Sequence, residues 1–325
     1  MVMNMSQNKM PINADYEAVA QMQLFARQVV DGVSGGRHRS PHHGSSVEFK
    51  EHRQYVKGDE LRSIDWKQFG KSDRLFVKQF DDETNLRATL VVDQSGSMKY
   101  QGKRSPWSKH EHAIRLAASL ATLLIGQQDS VGLLTFDTRV RHQLEARNNA
   151  SHLSNLIATL TSSQPAGETS LGSVLKSASQ QLRRRGMILL FTDCFDDISS
   201  LLAGLRFFRQ FGHDVVVFQI WDPDELDFPF YSKTQFRSLE STKEHMVEPS
   251  AIRTAYLERV AEFQDQLRDR LLAERIELIT TTTSQKCGDT LARFLQNRTS
   301  SRGGRGRSSQ AAPANSTTTT GWPAH

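Results

Sequence analysis

The sequence has no hydrophobic run long enough to cross a membrane. A membrane-spanning helix needs about 20 consecutive apolar residues, whereas hydrophobic residues make up only 37% of this 325-residue chain and are interspersed with polar ones. The N-terminal stretch MVMNMSQNKMPINADYEAVA contains no apolar core of the kind that secretory signals carry. We therefore expect a cytoplasmic protein without a leader or a membrane anchor.

Cysteine is scarce, and a nucleotide-binding loop is missing. Cys194 and Cys287 lie far apart and form no CxxC pair, which predicts two reduced thiols in or near a core. The sequence contains no GxxxxGK[ST] loop, so the chain itself is not expected to hydrolyse ATP.

Positive charge is concentrated at the C-terminus. The formal net charge is +5, and the segment from Arg298 onward contributes four arginines and no acidic residue. This segment is rich in Gly, Ser, Thr and Ala and has too few apolar groups to form a core, which predicts a disordered basic tail over residues 298–325. Since the rest of the chain is nearly neutral, nucleic-acid binding is a hypothesis for the tail alone.

From Arg87 onward, apolar strand-like runs alternate with helical segments. The runs RATLVVD, SVGLLTFD, GMILLFTD, HDVVVFQIWD and IELITTTT are typical of strands in a parallel sheet that is covered on both faces. The pattern predicts an α/β fold with a doubly wound, mostly parallel sheet and helices on both faces. We expect this main domain over residues 87–297 and, packed on it, an N-terminal helix and a small β-containing segment over residues 1–86.

Three small oxygen-bearing side chains follow the first of these strands. Asp93 ends the apolar run, and Ser95 and Ser97 follow at alternate positions in DQSGSM. The carboxyl ends of parallel strands form the edge at which ligands bind, and a turn alone does not require all three oxygens. Hard oxygen donors suit a hard divalent cation, Mg²⁺ first, with Mn²⁺ or Ca²⁺ as alternatives.

Two further oxygen donors are expected from other loops at the same edge. Thr169 precedes a helix in AGETSLG, and Asp193 ends the buried strand in LLFTD. Two ionised carboxylates balance the charge of a divalent cation, and hydroxyl groups add no charge. The cation then stays electrophilic and would attract a carboxylate from another molecule.

These residues carry a resemblance to a known kind of site. Asp93-x-Ser95-x-Ser97, followed by Thr169 and Asp193, resembles the metal-ion-dependent adhesion site of von Willebrand factor A domains. The upstream sequence resembles the hallmark of one bacterial branch of that fold, the domain of unknown function 58. The hallmark is matched by Tyr55, Gly58, Asp59, Glu60, Arg62, Ile64, Asp65 and Trp66, and the resemblance covers about residues 30–295.

The resemblance implies a non-enzymatic binding module. A Mg²⁺ ion held by the five oxygen donors would be completed by an acidic residue of a protein partner. Members of the family are often linked with MoxR-type AAA+ ATPases, so the expected partner is such an ATPase or its client in a chaperone-like assembly. Some members carry membrane helices, and this sequence shows none.

Part of the hallmark has two interpretations. Arg62, Asp65 and Trp66 form either a docking surface or a buried Arg–Asp pair covered by the Trp ring, and the second interpretation is preferred. Further along the chain, Asp196 and Asp197 are expected to cap and begin a helix rather than to bind metal.

A hydrolase is the alternative from another functional class. Ser95 or Ser97 would be the nucleophile, with His110 or His112 as a distant base. However, Asp93 stands where a nucleophile elbow needs glycine, and Ser95 replaces the second aspartate that is typical of phosphoryl-accepting motifs. We therefore expect no enzymatic activity.

Overall fold

The computed structural model describes residues 12–35, 48–56, 64–72, 74–81, 86–167, 171–182, 184–231, 234–237, 239 and 244–305. The helices in these ranges are α1 (Ile12–Gly35), α2 (Trp66–Ser72), α3 (Lys109–Gly126), α4 (Ala150–Ser162), α5 (Leu171–Gln181), α6 (Ile198–Gln210), α7 (Pro223–Asp227), α8 (Pro249–Ala273) and α9 (Cys287–Arg305). The strands are β1 (Glu48–Gln54), β2 (Phe76–Asp81), β3 (Arg87–Asp93), β4 (Ser130–Phe136), β5 (Val140–Arg147), β6 (Met187–Thr192), β7 (Asp214–Trp221), β8 (Thr234–Arg237), β9 (Glu244–Val247) and β10 (Glu277–Thr282).

The central sheet has the strand order β10-β7-β6-β3-β4-β5. Its neighbouring strands are parallel except for β5, which runs antiparallel to β4. Continuous apolar runs form these strands because helices cover both faces of the sheet, and every residue of β6 is buried. The predicted α/β fold with a doubly wound, mostly parallel sheet is confirmed.

The residues of β3 point alternately into two separate cores. Leu90 and Val92 pack with α1, α3, α4 and α9, whereas Val91 packs with α5, α6 and α8 on the opposite face. Successive side chains of a strand point to opposite faces, so one apolar run supports both helix layers. Met22 and Ala26 bury α1 in the first core. The two cysteines, one in each core, are buried free thiols, as predicted.

Two short antiparallel strand pairs lie outside the central sheet. β1 pairs with β2, and an isolated bridge joins Ile64 to Val77 of β2 just before α2. β8 pairs with β9 between α7 and α8. This second pair follows β7, so it lies in a connection at the carboxyl edge of the sheet.

The last helix continues past Arg298, the predicted start of the tail. α9 ends at Arg305, and Arg298 donates a hydrogen bond to Asp214 at the start of β7, at 2.9 Å. The predicted start of the tail at Arg298 is therefore corrected. Composition assigned Arg298 to the tail, but this residue lies within α9 and is hydrogen-bonded to β7. Residues 306–325 lie outside the described ranges. Within those ranges, no helix has the length and apolar character needed to cross a membrane.

Candidate metal centre

The loop after β3 brings three of the predicted donors together. Asp93 is 1% exposed, and its Oδ1 accepts a hydrogen bond from the Ser95 amide at 2.9 Å. A short 3-10 helix, Gly96–Lys99, folds the loop back, and the hydroxyl oxygens of Ser95 and Ser97 lie 3.0 Å apart. One carboxylate and two hydroxyl groups thus share one short loop.

The neighbouring strand β6 brings Asp193 to the same edge. β3 and β6 are parallel, with Val92 opposite Phe191, so Thr192 and Asp193 follow alongside Asp93. The Thr192 hydroxyl donates to Asp93 Oδ2 at 2.6 Å, and Asp193 is 2% exposed. Thr192 is missing from the predicted set. No local pattern distinguishes it from other strand residues, because its acceptor lies on a different strand.

Asp93 and Asp193 lie close enough to affect each other's charge. Burial, and then repulsion from the Asp193 carboxylate, raises the pKa of Asp93 to about 7, although hydrogen bonds from Thr192 and Ser95 favour its charged form. Two buried carboxylates beside two hydroxyl groups are a donor set that suits a hard divalent cation. In the described part of the chain, no group of three or more His, Cys, Asp or Glu side chains could hold a metal ion, so a site here depends on the hydroxyl donors.

Thr169 lies outside the described residues, and its role as a ligand stays a prediction. The residues on either side of it are bonded to the loops of the site. The Gly96 amide donates to the Gly167 carbonyl at 2.9 Å, and the Leu171 amide donates to Asp196 Oδ2 at 2.8 Å. The chain therefore enters and leaves this segment next to the loops that follow β3 and β6.

The carboxylates of Asp196 and Asp197 accept hydrogen bonds from backbone amides at the N-termini of two helices. Asp197 is the N-cap of α6, as predicted, and its carboxylate accepts a hydrogen bond from the Ser200 amide at 2.7 Å. Asp196 serves a different helix from the expected one, since it accepts the amide of Leu171, the first residue of α5. Both carboxylates thus satisfy backbone N–H groups that a helix start leaves unpaired.

Lys109 is a buried charge beside the site that no sequence pattern singles out. Its side chain is 1% exposed, and Nζ lies 2.8 Å from Asp193 Oδ2 and 2.6 Å from Glu225 Oε1. The Phe195 ring centroid lies 4.8 Å from Nζ. A lysine in the first turn of a helix usually reaches solvent, so the sequence gives no signal of its burial.

The Trp66 side chain is 63% exposed, and the neighbouring Asp65 is buried. Asp65 Oδ1 accepts the Gln68 amide at 3.1 Å, and α2 begins at Trp66. The Trp66 ring meets Phe69 edge-on, with the ring centroids 6.2 Å apart. Arg62 lies outside the described residues, so the Arg62–Asp65 pair and its cover by the Trp66 ring stay predictions.

The histidines of α3 are core residues. His110 Nε2 lies 3.4 Å from Ser163 Oγ, and His112 Nε2 lies 3.5 Å from Thr281 Oγ1. Burial lowers the pKa of each histidine to about 4. Their contacts and their neutral state give no support to the hydrolase alternative.

Comparison with known proteins places most of the chain in one family. A sequence profile of the family described as "Protein of unknown function DUF58" matches residues 51–266. An uncharacterized protein of Mycobacterium tuberculosis is 26% identical over 238 residues, which cover 72% of this chain and 74% of that protein. An aerotolerance-related membrane protein from Bacteroides fragilis aligns with 66% of this chain and 99% of its own, at 16% identity and a TM-score of 0.42. The SpRpn10 VWA domain aligns with 64% of this chain and 94% of its own, at 11% identity and a TM-score of 0.41.

Proposed function

The chain belongs to the DUF58 family, and we propose that it is a non-enzymatic module that binds a protein partner through a divalent metal ion. The proposed ion is Mg²⁺, with Mn²⁺ or Ca²⁺ as alternatives. Its proposed ligands are Asp93, Ser95, Ser97, Thr169 and Asp193. The observation that carries the proposal is the pair of buried carboxylates at the ends of adjacent strands, beside two hydroxyl groups 3.0 Å apart.

The residues of the site would each have a distinct task. Asp93 and Asp193 would supply the charge that attracts a divalent cation, and the serine hydroxyls would supply neutral oxygen donors. Thr192 holds the Asp93 carboxylate in place through its hydroxyl group, as outer hydrogen bonds do for metal ligands in general. When bound, the metal would supply Lewis acidity toward a carboxylate of the partner.

The proposed partner is a protein that presents an acidic side chain. Two carboxylates of the site balance a divalent cation and leave it without excess negative charge, so a third carboxylate from outside is not repelled. From the family resemblance stated above, we propose a MoxR-type AAA+ ATPase, or a client of such an ATPase, as that partner.

Calorimetric titration with Mg²⁺ tests the metal site in the full chain. Wild type is expected to bind the ion, whereas Asp93→Ala is expected to lose binding and to keep its circular dichroism spectrum. Asp227→Ala is the matched control, because this carboxylate lies on α7 at the same edge and is 60% exposed. Absence of Mg²⁺ binding by the wild type would overturn the proposal.

Capture of a purified MoxR-type ATPase tests the partner. The immobilised wild-type chain should retain the ATPase in Mg²⁺ and release it in EDTA, and the Asp93→Ala variant should not retain it. Retention that is unchanged in EDTA would contradict a metal-bridged contact. Specific retention of a different acidic protein, identified by mass spectrometry from a native lysate, would replace the ATPase as partner.

A further inference from the structure

Lys109 places a buried positive charge against the candidate metal centre. Its Nζ contacts one carboxylate oxygen of Asp193 and one of Glu225, at 2.8 and 2.6 Å. A charge removed from water is tolerated only when it is paired and hydrogen-bonded. Two carboxylates and the face of the Phe195 ring meet this requirement for Lys109.

The position of this charge is fixed from several sides. Ser108 and Glu111 form a capping box that starts α3, so the backbone at Lys109 is set by local hydrogen bonds. The second oxygen of Glu225 accepts the Asp222 amide at 2.8 Å in the capping box of α7. The ammonium group therefore has a defined place beside Asp193.

Lys109 and Glu225 change the charge in direct contact with the site in opposite directions. The Asp93, Asp193 and Glu225 carboxylates together with the Lys109 ammonium leave two negative charges when all four groups are ionised. Without Lys109 the same cluster would carry three negative charges, and without Glu225 it would carry one. Such differences matter because the surroundings are dry and screen charge poorly.

Resting on the proposed metal site, we propose that Lys109 and Glu225 tune the affinity for the bound cation in opposite directions. Lys109 weakens cation binding at Asp193, and Glu225 offsets this effect by holding the ammonium group. The pair thereby tunes the affinity of the site for a cation. Neither residue is assigned as a metal ligand.

An electrostatic role makes a prediction that a packing role does not. Lys109→Met keeps much of the side-chain volume and removes the positive charge, so the affinity for Mg²⁺ should rise about tenfold or more. Glu225→Gln keeps the shape and removes a negative charge, so the affinity should fall by a similar factor. If the two residues merely held the loops in place, both substitutions would weaken binding.

The charge of the ion provides a second readout. A Coulomb energy is proportional to the charge of each ion, so a given substitution should change the logarithm of the affinity about one and a half times as much for Tb³⁺ as for Ca²⁺. These two ions are similar in size, and each variant is compared with wild type for the same ion. If a substitution acted only by loosening the packing, the change in the logarithm of the affinity would not increase with the charge of the ion.

The experiment is isothermal titration of the full chain with Mg²⁺, Ca²⁺ and Tb³⁺. The variants are Lys109→Met, Glu225→Gln and the double variant, which restores the net charge and should bind within about threefold of wild type. Lys99→Met removes an equal charge from an exposed position in the loop after β3, and should change affinity less than about twofold. Circular dichroism and thermal unfolding establish which variants are folded.

The outcomes separate this inference from the proposed function. If wild type binds none of the three ions, the metal site itself is wrong and the inference fails with it. If wild type binds Mg²⁺ but Lys109→Met binds it equally or less well, only the inference is overturned. Should Lys109→Met not fold, the sign of the Glu225→Gln effect and the affinity of the double variant decide the question, and unchanged affinity in Glu225→Gln overturns the inference.

Discussion

The Thr192 hydroxyl donates a hydrogen bond to Asp93 Oδ2 at 2.6 Å and so joins the ends of two adjacent strands of the central sheet. The other oxygen of Asp93 accepts the Ser95 amide. Both oxygens of a buried carboxylate are thereby oriented by the protein. The same Thr192 oxygen accepts the Cys194 amide at 3.1 Å, which fixes the turn after β6.

The substitution Thr192→Val should weaken metal binding while leaving the fold intact. It removes the donor that orients Asp93, and loss of such an outer contact typically costs about 10- to 100-fold in metal affinity. Because a buried acceptor loses its partner, the free energy of unfolding should fall by about 1–3 kcal/mol. Calorimetric Mg²⁺ titration and denaturant unfolding measure the two effects.

Thr135→Val is the matched control for this substitution. Thr135 is also a buried threonine near the end of a central strand, β4, but its hydroxyl meets His142 Nδ1 at 3.1 Å instead of a carboxylate of the site. Its loss should leave the Mg²⁺ affinity within about twofold of wild type. Equal losses of affinity in the two variants would contradict a specific role for Thr192.

Adding a methyl group at Gly96 should disturb the site. A Cβ there would lie 2.4 Å from the Leu239 carbonyl oxygen and 3.0 Å from the Gly167 carbonyl oxygen, so backbone must move. We expect Gly96→Ala to lower the free energy of unfolding by about 1–3 kcal/mol and to weaken Mg²⁺ binding. Gly126→Ala adds the same methyl group where nothing lies within 4 Å, and it should be neutral or slightly stabilising.

Stability should fall in mild acid because His112 is buried in its neutral form. Its pKa is lowered from 6.5 to about 4 by burial, so the unfolded chain binds a proton at a higher pH than the folded chain does. The stabilisation is therefore complete above about pH 6.5 and is lost as the pH falls toward 4. The loss amounts to on the order of 3 kcal/mol.

Comparison with His112→Gln isolates this contribution. The drop in unfolding free energy between pH 7 and pH 4 should be smaller in the variant than in wild type by on the order of 3 kcal/mol. Contributions of other titrating groups cancel in this difference. The wild-type drop in His112→Gln would refute the prediction.

Trp66→Ala should leave stability nearly unchanged. The ring is 63% exposed, and surface substitutions usually change the unfolding free energy by less than about 0.5 kcal/mol. If the hallmark is a docking surface, the variant should lose capture of the protein partner with its thermal midpoint unchanged. Leu272→Ala removes another exposed apolar side chain, on α8, and should affect neither property. A loss of more than about 2 kcal/mol in Trp66→Ala would favour a packing role.

The fold was predictable because each central strand is a continuous apolar run that the chain must bury on both faces. Asp93 and Asp193 were predictable for a related reason. An acid directly after such a run has to lie at the carboxyl edge of a parallel sheet, and adjacent strands bring two such acids together.

Lys109 and Thr192 show where sequence patterns fail. The burial of Lys109 depends on Glu225, which is 116 positions away in the chain, and no local pattern contains that information. Thr192 looks like an ordinary strand residue until β3 supplies its acceptor.

β3 and β6 are paired residue by residue. The placement of the two acids therefore depends on the length of each apolar run as well as on the acid that follows it. Val92 faces Phe191 across the ladder, so deleting one residue from β6 would turn the Asp193 side chain to the other side of the pleat. A search for similar centres in distant sequences should therefore weigh strand length together with acid identity. Insertions between β3 and β6, in contrast, can be absorbed by the helices and loops that connect them.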